Sequence, residues 1–154
     1  MRKVTPFLMF EGKAEAAMAL YCETIPDSSI LDVTRYGPGE DGPEGTVKLA
    51  RLSVGGGLDV MVFNSPVHHA FTFTPSFSLY VDCSSEEELN RIVETLVKDG
   101  GFLMPPDNYG FSRRFAWLND RAERQVRGLL ADQSGIARSV PGRPQQLSQQ
   151  RSQQ

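Results

Sequence analysis

Ser76–Met104, SFSLYVDCSSEEELNRIVETLVKDGGFLM, is an alternating run, a capped amphipathic run and a second short apolar run, in that order. Phe77, Leu79 and Val81 alternate with Ser76, Ser78 and Tyr80, which reads as a strand. Ser84, followed three residues later by Glu87, forms a capping box. Leu89, Ile92, Val93 and Leu96 then fall on one stripe of a helix. Asp99, Gly100 and Gly101 end that helix in a left-handed cap, Phe102–Met104 is a short strand, and Tyr109–Leu118 (YGFSRRFAWL) is another.

Upstream, the same order has already occurred once. Lys3–Phe10 (KVTPFLMF) is an apolar run whose proline suits an opening strand near a sheet edge. Gly12–Thr24 is a helix, because Ala14, Ala17, Met18 and Tyr21 recur at offsets of three and four; Pro26 stops it. Ser29–Tyr36 (SILDVTRY) alternates as a strand, and GPGEDGPEG makes a loop. Thr46–Val54 (TVKLARLSV) and Leu58–Phe63 (LDVMVF) form a hairpin around Gly55, Gly56 and Gly57. The triplet is not a phosphate cradle, since no helix and no Lys-Ser/Thr follow it. Strand, helix and three strands thus run over residues 3–63 and begin again at 76. This duplication predicts an α+β fold of paired βαβββ modules, each hiding one sheet face.

Composition sets the frame for function. A chain of 154 residues, 40% hydrophobic and 23% charged, fits one soluble-type domain with a full core. No apolar run approaches the length of a membrane span, and the N-terminus enters a strand-like segment directly, so no membrane association and a cytoplasmic location are expected. Cys22 and Cys83 are far apart and form no CxxC pair, the pattern of reduced thiols. A net charge of -3 offers no attraction for a polyanion; the arginines gathered near the C-terminus read as a tail property, and nucleic acid is not an expected partner.

TPFLMF with EGKAEAAMALY, DSSILDVTRYG, GPEGTVKLARLSVGGGLDVMVFNS, FTFTPSFSLYVDCSSEEELNRIVETLVKDGGFLMPP and RRFAWLNDR together resemble PhnB-like proteins of the vicinal oxygen chelate (glyoxalase-like) superfamily. Some of these carry the description 3-demethylubiquinone-9 3-methyltransferase. The resemblance covers about residues 3–121 and implies a domain over 1–121, with modules near 3–63 and 76–121, whose curled sheets enclose a cavity completed by homodimerisation. Residues 122–154 depart from the pattern. Where relatives have a last strand, Val126, Leu129 and Leu130 fit one face of a short helix over Arg121–Gln133, and beyond Pro141 the Gln, Ser and Arg-rich composition reads as disordered. The second module is therefore expected to lack its last strand, leaving the edge beside Tyr109–Leu118 for that helix to cover.

Active members of the superfamily bind a divalent metal through His, Gln and Glu at four strand positions, where it acts as a Lewis acid. The resemblance puts Thr5 and Ser76 at two of them and Asp59 at a third, and only Asp59 could ligate. His68 and His69, adjacent in a loop, read as solvated. No metal and no other cofactor are therefore expected. The faces carrying those positions offer Thr5, Phe7, Met9, Asp59 and Met61 from the first module and Ser76, Ser78, Tyr80, Phe115 and Trp117 from the second. These suit a small apolar or aromatic ligand, with core or dimer packing as the plainer reading for Phe115 and Trp117. The expected function is metal-independent binding of such a molecule; the alternative is a divalent-metal enzyme of the same superfamily using Asp59. Methyl transfer is disfavoured, since no glycine-rich strand-to-helix turn of a doubly wound sheet is present.

Overall fold

The first module consists of β1 (Phe7–Phe10), α1 (Ala14–Thr24), β2 (Ser29–Arg35), β3 (Val47–Val54) and β4 (Leu58–Asn64). The second consists of β5 (Ser78–Asp82), α2 (Glu86–Val97), β6 (Gly101–Asp107), β7 (Phe115–Asn119) and β8 (Gly128–Asp132). The structure, a computed structural model, describes residues 2–120 and 128–132, the latter as backbone. Each module builds one four-stranded sheet with the same order, β1-β4-β3-β2 and β5-β8-β7-β6. In both, the first and last strands pair in parallel and every other pair is antiparallel. The duplication seen in the sequence is thus repeated strand for strand in two curled, mixed sheets of an α+β fold.

Alternation decides which face each sheet hides. In β1, Leu8 and Phe10 are buried while Phe7 is exposed and Met9 half-buried. Ala50 and Leu52 of β3 and Val60 and Val62 of β4 continue the buried face. α1 covers it with Ala14, Ala17, Met18, Leu20 and Tyr21; α2 covers the second sheet with Leu89, Ile92, Val93 and Leu96. The two helices also touch, so one core joins both modules. Each large aliphatic side chain buried there contributes roughly 1.5–3 kcal/mol. The helix-free face of each sheet turns away from this core.

The helices begin in different ways. At α2, the Ser85 hydroxyl accepts the Glu88 N–H at 3.1 Å, and the Glu88 carboxylate accepts the Ser84 N–H at 2.7 Å. The capping box is therefore one residue later than expected, because SSEEE offers two overlapping Ser-x-x-Glu pairs and the helix takes the second. At α1, Lys13 gives no side-chain cap. Instead the buried Asn64 at the end of β4 reaches across, its Oδ1 accepting from Gly12 N and Ala14 N, each at 3.1 Å. The Tyr36 hydroxyl donates to the Asn64 carbonyl at 2.6 Å, fixing that corner.

Other boundaries shift for identifiable reasons. The Gly55–Gly57 hairpin is present, with Val54 paired to Leu58 and positive φ at Gly55 and Gly56. At the end of α2 the left-handed residue is Asp99, and a Cβ on Gly100 would lie 2.0 Å from the Asn119 carbonyl oxygen, so β7 could not approach any larger residue there. Tyr109–Leu118 is not one strand: β7 starts at Phe115, and the preceding segment bends so that Phe111 and Tyr109 meet Phe115 edge-on at 4.8 and 5.9 Å.

The largest correction concerns the second sheet. The last strand expected to be absent is β8, and it lies between β5 and β7, with Leu129 in register with both Leu79 and Leu118. Gly128–Asp132 is therefore strand, not part of a helix, and it falls within 122–154, the segment read as a tail. The spacing of Val126, Leu129 and Leu130 fits a helix, but without β8 both β5 and β7 would present a row of unpaired backbone groups, and pairing with both overrides weak local periodicity. The rest of the expected helix, residues 121–127 and 133, and the tail beyond Pro141 lie outside the described residues.

Candidate functional site

On the first sheet the expected residues gather on the helix-free face. Parallel pairing sets Phe7 beside Met61, which places Thr5 at the level of Asp59. Pro6 holds this entry in line, its carbonyl accepting from Met61 N at 2.9 Å. Phe7 is 56% exposed, while Thr5, Met9 and Met61 are half-buried. Phe7 stacks on Phe63 at 5.9 Å. Phe63 was missed in the sequence, although its alternation with Asp59 and Met61 puts it on the same face. The Lys3 ammonium donates to the Asp59 carboxylate, so the charge of this lone acidic side chain is already balanced.

On the second sheet, Tyr80 and Trp117 both stand in register with Leu130, one on each side of β8. The Trp117 indole N–H donates to Ser78 Oγ at 3.3 Å, and Ser78 Oγ in turn donates to the Pro75 carbonyl at 3.4 Å. Tyr80 is exposed and Ser78 and Trp117 are half-buried, so these three form a partly open aromatic face. Two expected members stand apart from it. Ser76 precedes β5 in a turn, its hydroxyl shared with Thr74, and Phe115 is buried beneath Phe111 and Tyr109.

The metal expected of the superfamily does not fit these residues. Asp59 is engaged by Lys3, Ser76 lies outside the strand, and β8 contributes one ligating residue type, Asp132 at its end. Among the described residues no three His, Cys, Asp or Glu stand close enough to hold an ion together. Nucleophilic chemistry has little support either. Burial, with a smaller effect from Glu23, pushes the Cys22 thiol up, away from the reactive thiolate. The histidines are more engaged than a solvated loop implies. His68 is exposed with Nδ1 3.4 Å from Glu11 Oε2, whereas His69 donates its backbone N–H to Glu11 Oε1 at 2.6 Å and bonds through Nε2 to Ser65 Oγ at 2.9 Å. Nothing in the local sequence marks Glu11, because its partners lie far along the chain.

Two βαβββ modules, each with its first and last strands paired in parallel, define the vicinal oxygen chelate fold. The family model for 3-demethylubiquinone-9 3-methyltransferase matches residues 2–122, and the chain belongs to this PhnB-like family. A solved structure from Bacillus cereus, described provisionally under the same methyltransferase name and as a PhnB protein, is 42% identical with a TM-score of 0.79, covering 86% of this chain and 99% of that one. A Pseudomonas aeruginosa protein, 19% identical with a TM-score of 0.72 over 87% of this chain and 98% of its own, shares the fold. So does a Bacillus cereus protein described as a possible glyoxalase, at 14% identity and a TM-score of 0.50, with coverage of 85% and 99%. No curated protein matches. No helix among the described residues is long and apolar enough to cross a membrane.

Proposed function

We propose that this chain binds a small apolar or aromatic molecule without a metal, on the helix-free faces of its sheets, and that it does so in the cytoplasm as a homodimer. The observation that carries this reading is the gathering of aromatic and methionine side chains where the described residues hold no metal donor set: Phe7, Met9, Met61 and Phe63 on one sheet, Ser78, Tyr80 and Trp117 on the other. Such faces give area and shape for an apolar ligand and a few hydroxyls to orient it. Phe7, Ile30, Leu31, Phe77 and Tyr80 are each exposed in a single chain, which favours a second copy as cover. Two free cysteines suit a reducing compartment.

The methyltransferase description of the family is not carried over to this chain. S-adenosylmethionine is commonly held where a glycine-rich turn leads from a parallel strand into a helix whose N–H groups face the ligand. Here the β1–α1 turn has one glycine, and the amides of Gly12 and of Ala14, the first residue of α1, are taken by Asn64. These residues do not fit that cofactor.

Titrating naphthalene-type probes against Trp117 fluorescence tests the reading. Saturable quenching that is indifferent to a chelator, weakened by Phe7→Ala and Tyr80→Ala, is expected, together with a dimer mass by light scattering. One bound metal per chain, lost on Asp59→Ala, would overturn it in favour of the metal enzyme.

A further inference from the structure

The connection between the modules, residues 65–77, folds back over the end of β1, and Glu11 is the group that gathers it. One carboxylate oxygen accepts the His69 N–H and the other faces His68, as described above. The His69 ring stacks on Phe71 at 5.0 Å, and Phe73 packs against Phe10 in the core at 5.3 Å. Between these anchors lies a cavity of about 140 Å³ lined by Met9, Glu11, Phe71, Thr72 and Phe73. The lining residues carry two aromatic rings, a thioether, a hydroxyl and one carboxylate.

The carboxylate in that cavity makes no ion pair with a Lys or Arg among the described residues. Asp59, Glu15, Glu40 and Glu86 each sit beside a Lys or Arg. Glu11, whose side chain is 23% exposed and the most shielded of the five, has among the described residues only the imidazole of His68 near it, and that ring is 89% exposed. A shielded carboxylate without a permanent cation, next to aromatic rings, is the chemistry that selects an organic cation over a neutral molecule of the same shape.

We propose that this cavity binds a small alkylammonium head group, with Glu11 supplying the counter-charge, Phe71 and Phe73 the cation–π contacts and Met9 the apolar floor. The volume suits a group the size of tetramethylammonium. Only Met9 is shared with the proposed apolar face of the first sheet, and the deciding charge lies outside that face, so either reading can fail without the other.

The test is titration of the full-length protein with tetramethylammonium chloride, and separately with uncharged neopentyl alcohol, at constant ionic strength, read from the NMR signals of the Met9 methyl and His69 ring. Saturable shifts with the cation and none with the alcohol are expected. Glu11→Gln keeps an oxygen to accept the His69 N–H while losing the charge, and it weakens cation binding by about tenfold. Phe71→Leu, at an exposed position where loss of fold is not expected, weakens it severalfold. Equal binding of cation and alcohol, no saturation with the cation, or unchanged affinity in a folded Glu11→Gln protein would overturn the proposal.

Discussion

α1 and α2 occupy equivalent places in the two modules and are held at their N-termini by opposite means. α2 carries its own cap, since Ser84, Ser85 and Glu88 satisfy one another within five residues of chain, and its apolar stripe is sharply set against charged neighbours. α1 has no side-chain cap of its own and depends on Asn64, at the far end of its module. A helix of this length is marginal alone, so the first module's helix is defined by its sheet while the second's is largely defined by its sequence. The sheets reverse this contrast. The first closes with β4, an alternating strand reached through a clear hairpin; the second closes with β8, whose sequence does not announce a strand.

Four experiments break or sharpen this comparison. Truncation after Asp120 removes β8 and is expected to destabilise the second sheet far beyond the ~1 kcal/mol typical of a point substitution, since β5 loses its only partner and β7 one of its two. In hydrogen exchange, Phe115–Asn119 should lose protection while Val47–Val54 keeps most of its own; strong protection of both in the truncated chain would remove β8 from this account. Asn64→Ala leaves the Gly12 and Ala14 amides without their acceptor, and a loss of about 2–3 kcal/mol in chemical denaturation is expected. Ser85→Ala removes a cap on an exposed helix end and should cost about 1 kcal/mol. A larger loss from Ser85→Ala than from Asn64→Ala would invert the contrast.

The smallest effect is that of pH. The Ser84 hydroxyl and N–H bonded to Glu88 hold its carboxyl below the usual carboxylate range. A depressed folded-state pKa adds stability above the unfolded pKa, which is lost as pH falls through the folded one. The stability difference between the wild type and Glu88→Gln should therefore shrink below the ordinary carboxylate range, while the Asn64→Ala deficit, which involves no titrating group, stays constant.

Where local pattern and tertiary demand agree, the sequence suffices. Leu8 and Phe10 fall on the core side of β1 with Phe7 and Met9 opposite, the α2 stripe is fully buried, and the glycine hairpin turns where expected. Where they disagree, the contact distant in sequence wins. GLLAD is too short for alternation to outweigh helical spacing, and only the gap between β5 and β7 makes it a strand. The candidate site was legible as far as faces are concerned, since alternation assigns them. It was not legible where a partner comes from afar: Lys3 on Asp59, the folding of Tyr109 and Phe111 onto Phe115, and the seating of the connecting loop on Glu11.

The parallel pairing of first and last strands has a consequence for how the molecule is made. In each module the strand synthesised last is an inner strand, so neither sheet can be assembled by adding edges in order of emergence from the ribosome. β1 waits for β4, and β5 waits for β8, each joining strands from opposite ends of a module, the kind of distant contact that slows folding. The first half can be finished while translation continues. The second must hold β5 and β7 apart and open until Gly128–Asp132 arrives, which makes nascent-chain length, rather than any one side chain, the clock for its completion.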